Sequence, residues 1–342
     1  MRAAPTQPAL RQAQSYLIPL STTLLPSHWW RLPLVDVARL APVETLDWGL
    51  AKAFGLEIAI KREDLLHPQV GGNKFYKLAG HLLRFQRSGA RRLLSFGGAF
   101  SNHLYALAAA SHDLGVPSIG IIRGERPAQL SPTLRDAQEQ GMELVFVSRE
   151  EYRHKNDPLW LQALQQRFPD AYVIPEGAGD IAGSEGCMTW AAAASAALSQ
   201  RPEVICLASG TGGTAAGVLA AGVCDQVCGF LALKGSAGEI IAMKNGIVAQ
   251  ACALAGKEAA QLPSFLLETN YSCGGYARLP LELSRFMTEF EAETGVPLDP
   301  VYTAKLLWGI AHKARAGDWR PGPRILVLHS GGLQGRRGYP AL

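Results

Sequence analysis

The sequence predicts an α/β protein in which parallel strands alternate with crossover helices and form two lobes. From Glu57 onward, short runs of leucine and β-branched residues alternate with helical patterns. The 342 residues are 48% hydrophobic and 18% charged, which is enough for a large core without separate modules. Helix signals support the alternation: Ser131-Pro132 and Asp157-Pro158 place a capping side chain before a proline, and Gly115 and Gly141 follow predicted helix ends.

The elements divide into two groups along the chain. Residues 77–183 contain four strand–helix units of their own, and the segments on either side form a second α/β group. We therefore expect a small inserted domain, 77–183, within a large domain made of 1–76 and 184–342, with the ligand in the cleft between them. The predicted strands are 57–61, 92–96, 118–122, 143–147, 171–174, 204–208, 227–233, 265–268 and 324–329.

Composition excludes several classes of protein. The net charge is +4 without a long basic run, so we expect no nucleic-acid partner. The six cysteines lack paired CxxC spacing and no secretory signal is present, so we expect neither a disulfide framework nor a metal site. No apolar run is long enough to span a bilayer, and we expect a soluble, cytoplasmic protein.

Residues 1–30 read as a partly ordered extension, with Trp29 and Trp30 packing on the body or on a second subunit.

The glycine-rich turn Ser209-Gly-Thr-Gly-Gly-Thr214 follows a predicted strand and precedes an alanine-rich segment. A strand, a tight turn and a helix N-terminus together present free backbone N–H groups to an anion, usually a phosphate. Such turns also serve simply as tight connections. A dinucleotide is disfavoured, because the next strand ends in Lys234 where that site requires an acidic residue.

Other candidate residues follow strands or precede helices. Lys74 comes after two glycines and an asparagine, where the backbone can approach a flat ligand closely, although a lone lysine also reads as a surface charge. Ser101 is a good N-cap for the next helix, or its hydroxyl and the helix N-terminus could bind a substrate carboxylate. Asn102 could donate to a phenolic oxygen. The hydroxyls of Thr303 and Ser330 suit a neutral heterocyclic nitrogen, because neither carries the negative charge that stabilises a pyridinium.

With these segments in this order, residues 61–332 resemble the fold-type II pyridoxal-phosphate enzymes, which are tryptophan synthase β-like. Within them the chain resembles the family of D-cysteine desulfhydrase and 1-aminocyclopropane-1-carboxylate (ACC) deaminase. The motifs that carry the resemblance are Lys-Arg-Glu-Asp, Gly-Asn-Lys-x-x-Lys-Leu, Gly-Gly-x-x-Ser-Asn-His, Gly-Thr-Gly-Gly-Thr and Asp-Pro-Val-Tyr. The resemblance implies two open, twisted, mostly parallel sheets in a large and a small lobe, pyridoxal 5′-phosphate as cofactor, and a homodimer.

The resemblance also implies roles for individual residues. Lys74 would form the Schiff base, Asn102 would face the 3′ oxygen of the cofactor, and Ser101 would take the substrate carboxylate. Tyr302 and Tyr276 would lie over the substrate as acid–base candidates. The other implied contacts are Lys77, Gly210, Thr211, Gly212, Gly213 and Thr214 for the phosphate, Thr303 and Ser330 for the pyridine nitrogen, and His103 with Ser101 and Asn102 for the substrate.

Two departures bear on the reaction. Deaminases of this family carry Glu and Leu where this chain has Thr303 and Ser330, which favours α,β-elimination to a 2-oxo acid and ammonia, with sulfide if the substrate is cysteine. Both branches continue Ser-Asn-His with an Arg-Gln pair, whereas Leu104 and Tyr105 stand here, so the pocket has changed and D-cysteine is the best single candidate. The alternatives are ACC deamination, a dehydratase or racemase on the same scaffold, and a cofactor-holding protein without turnover, against which Lys74 and Tyr302 argue.

Overall fold

The computed structural model describes residues 29–339, apart from the side chain of Trp30. The predicted extension therefore lies mostly outside the described residues. The strands in this range are β1 (Val43–Thr45), β2 (Glu57–Arg62), β3 (Arg92–Gly97), β4 (Ser118–Arg123), β5 (Met142–Val147), β6 (Ala171–Val173), β7 (Val204–Ser209), β8 (Gln226–Leu231), β9 (Ser264–Glu268) and β10 (Arg324–His329).

Helices separate most of the strands, as expected of crossover connections. The α-helices in the described range are α1 (Leu34–Leu40), α2 (Gly49–Ala53), α3 (Asn73–Ser88), α4 (Asn102–Leu114), α5 (Pro132–Glu139), α6 (Arg149–Tyr152), α7 (Pro158–Arg167), α8 (Ile181–Ala196), α9 (Gly213–Ala221), α10 (Ala237–Ala255), α11 (Leu281–Thr294) and α12 (Thr303–Ala316). Short 3-10 helices form at Trp29–Arg31, Glu63–Leu65, Glu176–Ala178, Ala259–Gln261 and Leu333–Gly338.

The strands form two sheets, which confirms the predicted fold class. The larger sheet has the order β1-β2-β10-β7-β8-β9 and the smaller one the order β5-β4-β3-β6. Every neighbouring pair is parallel except β1 and β2, which pair antiparallel. All nine predicted strands are present, but β1 was not predicted, and β8 ends two residues before its predicted end.

The central strand β7 shows why these sheets need helices on both faces. All six of its residues are buried. Ile205 and Leu207 face one apolar cluster, which includes residues of α3, α8 and α9, and Val204 and Cys206 face a second cluster with residues of α11 and α12. This alternation follows from the period of two in a strand, and burial of both faces is typical of parallel sheets.

Helices α3 and α8 cross the limits of the predicted inserted domain. The strands of the smaller sheet all lie within 77–183, but α3 begins before residue 77 and α8 continues beyond residue 183. The two helices pack at backbone distance: a Cβ atom on Gly80 would lie 2.0 Å from the carbonyl oxygen of Ala182, and one on Gly186 would lie 1.9 Å from that of Tyr76. The division at residues 77 and 183 stays a prediction.

Trp29 packs on the body of the protein, which is one of its two predicted locations. Its ring meets that of Phe75 edge-on at 5.1 Å, and its Nε1 donates to Asp113 at 3.1 Å. Within residues 29–339, no helix combines the length and apolar character needed to cross a bilayer. In the same range, no group of three His, Cys, Asp or Glu side chains is placed to hold a metal ion.

Candidate active site

A cavity of about 1520 Å³ opens where the carboxyl ends of strands from both sheets face each other. Its wall includes residues that directly follow β2, β3, β7 and β10. Ligands of open α/β sheets bind in crevices outside the carboxyl ends of the strands. The predicted site residues that line this cavity are Lys74, Lys77, Ser101, Asn102, His103, Gly210, Thr211, Gly212, Thr214, Tyr276, Tyr302 and Ser330.

Lys74 lies in the first turn of α3, and the glycine before that helix sets its position. Gly72 has φ of 70°, and a Cβ atom there would lie 1.9 Å from the carbonyl oxygen of Ser330. Only glycine therefore lets the start of α3 approach the end of β10. Burial, and secondarily the ammonium of Lys77, lower the pKa of Lys74 to about 7, while Asp299 acts in the opposite direction. About half of these amines are neutral, and hence nucleophilic, near pH 7.

Lys77 lies one turn further along α3 and is 2% exposed. Its Nζ donates to the carbonyl oxygen of Gly177 at 2.9 Å, and burial lowers its pKa. Among the described residues, no carboxylate lies within ion-pair distance of Lys74 or Lys77. Two neighbouring amines without a carboxylate partner are costly unless an anion joins them. The electrostatics of this wall therefore fit a phosphate.

The glycine-rich turn leads directly into α9, whose N-cap is Gly212. The first N–H groups of a helix have no acceptor within the helix, so they can bind an anion. Asn73 links this turn to α3, because its Nδ2 donates to Thr214 Oγ1 at 2.9 Å. Gly213 is the one predicted phosphate contact that does not line the cavity; a Cβ atom there would lie 2.9 Å from Gly179 Cα. The lysines, this turn and the amide of Asn102 together form a donor set that fits pyridoxal phosphate.

Ser101 and Asn102 begin α4 at the cavity wall. The Ser101 hydroxyl caps the helix, accepting from the backbone N–H of Leu104 at 3.2 Å. Ser101 therefore serves as the N-cap that the sequence predicts, and its O–H remains able to donate. Asn102 Oδ1 accepts from Gln334 Nε2 at 2.7 Å, which orients the amide and leaves Nδ2 as a donor. Sequence reasoning missed Gln334, because it lies 232 residues away in a short 3-10 helix.

His103 is 3% exposed and held in one tautomer. Its Nε2 lies 2.8 Å from Ser95 Oγ, and Ser95 donates its own proton to the carbonyl oxygen of Ile174 at 2.8 Å. Ser95 must therefore accept from His103 Nε2–H, which leaves Nδ1 as an acceptor without a partner in the described part of the chain. Burial, aided by Lys74 and Lys77, holds the pKa of His103 well below its ordinary value, so the ring is neutral.

Tyr302 and Tyr276 form an aromatic pair at the cavity wall. Their ring centroids are 6.2 Å apart at an interplanar angle of 67°. A Cβ atom on Gly210 would lie 3.3 Å from Tyr302 Cε1, so the Tyr302 ring borders the glycine-rich turn. Burial raises the pKa of both hydroxyls, that of Tyr302 far above its ordinary value. Both remain protonated, and hence able to donate a proton, at neutral pH.

Of the two residues whose hydroxyls are expected at the pyridine nitrogen, only Ser330 lines the cavity. Thr303 is fully buried and does not line the cavity, because its hydroxyl is engaged with Asp299 in the turn before α12. The carboxylate of Asp299 accepts from the Thr303 hydroxyl at 3.0 Å and from its backbone N–H at 2.7 Å. The assignment of Thr303 to the nitrogen stays a prediction.

A buried polar network lies at the end of β2 and was not predicted from the sequence, although the motif Lys-Arg-Glu-Asp stands there. Glu63 is fully buried, and its Oε1 accepts from Tyr76 Oη and from Trp190 Nε1, both at 2.8 Å. The ammonium of Lys61 is 3.4 Å from the same oxygen, and Oε2 has no partner among residues 29–339. Burial raises the pKa of Glu63 to about 7 despite these contacts. The charged motif Lys-Arg-Glu-Asp at a predicted strand end was the available signal.

Comparisons with known proteins agree with this site. A protein-family model described as "Pyridoxal-phosphate dependent enzyme" matches residues 27–222. A putative ACC deaminase of Pyrococcus horikoshii is 27% identical over 316 aligned positions, covering 89% of this chain and 95% of the relative. The bifunctional D-cysteine desulfhydrase/ACC deaminase of Arabidopsis thaliana is 27% identical, covering 95% and 80%. The D-cysteine desulfhydrase of Salmonella typhi is 29% identical, covering 89% and 95%.

Solved structures give the same picture. The crystal structure of an ACC deaminase homologue matches with a TM-score of 0.75 and 26% identity, covering 87% of this chain and 91% of that one. A threonine deaminase from Solanum lycopersicum matches with a TM-score of 0.63 at 17% identity, covering 87% and 81%, and this likeness shows the fold alone.

Proposed function

The chain belongs to the pyridoxal-phosphate-dependent enzymes, in the family of D-cysteine desulfhydrase and ACC deaminase, and from this premise we propose that it is a lyase acting on a small amino acid. The proposed reaction is α,β-elimination that yields a 2-oxo acid and ammonia, with sulfide when the substrate is D-cysteine. The observation that carries the proposal is Lys74, an amine with a pKa of about 7 on a cavity wall shared with the glycine-rich turn and Tyr302.

Residues already on the cavity wall would hold the cofactor. Lys74 would carry it, Lys77 and the N-terminus of α9 would bind its phosphate, and Asn102 Nδ2 would donate to its phenolic oxygen. When bound, pyridoxal phosphate supplies an electron sink that stabilises negative charge at the α-carbon of the substrate.

The protein's own groups would orient the substrate and move protons. Ser101 and the N-terminus of α4 would bind the substrate carboxylate, because the helix dipole and free N–H groups favour an anion there. Lys74, once neutral and released, would take the α-proton as a general base. Tyr302, kept protonated by burial, would donate to the departing sulfur. Tyr276, whose pKa burial also raises, would lie over the substrate and offer a second protonated hydroxyl.

Elimination is favoured over ring opening by the groups near Ser330. Ser330 lines the cavity there, and the carboxylate of Asp299 is engaged by the backbone N–H groups of Val301 and Thr303. Without an acidic partner the pyridine nitrogen would stay unprotonated and the sink would be weaker. Loss of thiolate tolerates a weak sink, whereas opening a cyclopropane ring has no comparable leaving group. ACC deamination is the second candidate, because the Arabidopsis relative carries both activities in its name.

The test is a substrate panel with the purified holoenzyme. D- and L-cysteine, β-chloro-D-alanine, D- and L-serine and ACC are incubated separately, and 2-oxo acid, ammonia and sulfide are measured. We expect turnover of D-cysteine or the β-chloro amino acid, little or none of ACC, and no turnover by Lys74→Ala. Robust deamination of ACC without elimination from either β-substituted substrate would contradict the proposal. A protein that takes up no pyridoxal phosphate would contradict it as well.

We also propose a homodimer and a cytoplasmic location. Helix α10 has 19 residues and is largely apolar, yet only Ile247 and Ala251 are buried, and Ile241 is 59% exposed. An apolar helix that the described chain leaves open supports contact with a second copy. All six cysteines are free, as expected in a reducing compartment. Sedimentation of the wild type and of Ile241→Glu, together with cell fractionation, tests both proposals.

A further inference from the structure

The segment 272–278, which carries Tyr276 beside the cavity, has an unusual backbone. Cys273, Gly274, Gly275 and Ala277 all have positive φ, at 52°, 95°, 110° and 57°. For Cys273 and Ala277 this conformation is unfavourable, since a side chain at Cβ crowds the backbone in the left-handed region. Strained backbone persists only where the surrounding structure holds it, and it is concentrated at functional sites.

Two side chains from distant segments hold the carbonyl groups on either side of Tyr276. Lys305 Nζ donates to the carbonyl oxygen of Gly275 at 2.5 Å and lies 3.5 Å from that of Ala232. Tyr339 Oη donates to the carbonyl oxygen of Ala277 at 2.9 Å. Residues 275 and 277 are thus fixed independently, one to α12 and the other to the segment after the last 3-10 helix.

Lys305 lies in a position that is unfavourable for a lysine, and the carbonyl groups of Gly275 and Ala232 are what its ammonium bonds there. It is 1% exposed, and no carboxylate lies within ion-pair distance in the described structure. It also lies in the first turn of α12, where the helix dipole disfavours a cation. Burial lowers its pKa. An apolar side chain would avoid these costs, so the ammonium matters for what it donates to.

We propose that Lys305 and Tyr339 are positioning residues that hold the strained segment 272–278, and through it Tyr276, at the wall of the cavity that Lys74 also lines. The inference rests on the proposed function for the role of Tyr276, but the anchoring of the segment does not. Tyr276 is 40% exposed and contacts Tyr302 edge-on. Without its two anchors, the ring would leave that contact as the backbone relaxes.

The anchoring is tested first, without reference to activity. Trypsin can cleave after the exposed Arg278 only when the segment opens. Holoenzyme carrying Lys305→Met or Tyr339→Phe is digested briefly, and cleavage after Arg278 is followed by mass spectrometry. Lys313→Met is the matched control, because Lys313 lies on the same helix and is 8% exposed, but bonds Glu268 away from the cavity. We expect cleavage at least about fivefold faster in both test variants, from loss of one hydrogen bond, and unchanged cleavage in the control.

The role in the reaction is tested by a double-mutant cycle. Lys305→Met should lower kcat/KM with thermal stability close to that of Lys313→Met, and it should have no further effect in a Tyr276→Phe background. Tyr339→Phe removes only a hydroxyl and repeats the test if Lys305→Met folds poorly. Equal cleavage after Arg278 in all variants, or fully additive losses of activity, would overturn the inference. If Tyr276→Phe alone leaves turnover unchanged, the role proposed for Tyr276 fails, and the cleavage rates still decide whether the segment is anchored.

Discussion

The rate at which pyridoxal phosphate attaches to the apo-protein should follow the titration of Lys74. Only the neutral amine attacks the aldehyde, and burial with the neighbouring ammonium of Lys77 lowers the pKa of Lys74 from 10.5 to about 7. At pH 7 an ordinary lysine would be neutral in about 3 of 10,000 molecules, whereas Lys74 would be neutral in about half, a difference of about 1,500-fold. The rate of attachment at each pH should therefore be proportional to the neutral fraction of Lys74.

The assay mixes apo-protein with saturating pyridoxal phosphate between pH 5.5 and 9 and follows visible absorbance. We expect the rate constant to rise about tenfold per pH unit below pH 6, to reach half its maximum near pH 7, and to level off above about pH 8. Pyridoxal, which lacks the phosphate, serves as the control, because the same midpoint with both aldehydes assigns the titration to the protein. Borohydride reduction followed by mass spectrometry should locate the cofactor on Lys74.

A rate constant that continues to rise tenfold per pH unit up to pH 9 would contradict this prediction, since it would mean that Lys74 titrates as an ordinary lysine. A midpoint that differs between the two aldehydes would assign the titration to the phosphate instead.

Three further predictions concern residues around the site. Gln334→Leu should weaken cofactor retention about fivefold, because it removes the hydrogen bond that orients Asn102, worth about 1 kcal/mol; unchanged retention in equilibrium dialysis would contradict this. Gly210→Ala should impair turnover without changing the thermal midpoint of the apo-protein, because the added methyl would lie 3.3 Å from Tyr302 Cε1. A thermal midpoint that falls together with turnover would indicate a structural role instead. For Glu63, the folded pKa of about 7 exceeds the ordinary 4.5, so the native state binds the extra proton and stability falls as the pH rises through that window. Between pH 4.5 and 7, the free energy of unfolding of the wild type should fall by about 3 kcal/mol relative to that of Glu63→Gln, which is about 4 °C in Tm for a chain of this length. Parallel curves of Tm against pH for the two proteins in scanning calorimetry would contradict this.

The sequence was sufficient for features that depend on local pattern. The nine predicted strands are rich in β-branched residues and leucine and are bounded by helix caps and glycines, so their positions follow from neighbours in the chain. Strand β1 has only three residues and depends on pairing with β2, which no local signal reveals. The glycine-rich turn was predicted from a contiguous signal, whereas Lys74 was assigned through the family resemblance, and its role stays a prediction.

Features that depend on partners distant in the chain could not be predicted. One local contact also differs from expectation: the hydroxyl of Thr303 was expected at the cavity, but it donates to the carboxylate of Asp299, four residues earlier. Gln334 reaches Asn102 and Lys305 reaches Gly275 only after the chain has folded. Glu63 looked like one of several charges at a strand end, and its burial against Tyr76 and Trp190 requires two further helices.

The contact between α3 and α8 limits how the smaller sheet can be inherited or engineered as a module. A gene fragment that encodes 77–183 would begin inside one of these helices and end inside the other, and it would discard Gly186, whose missing side chain lets the two backbones touch. It would also separate Lys77 from Lys74. A transplant of this sheet into another scaffold should therefore carry both helices whole, as residues 73–196, so that the portable unit includes the lysine that the cofactor would use.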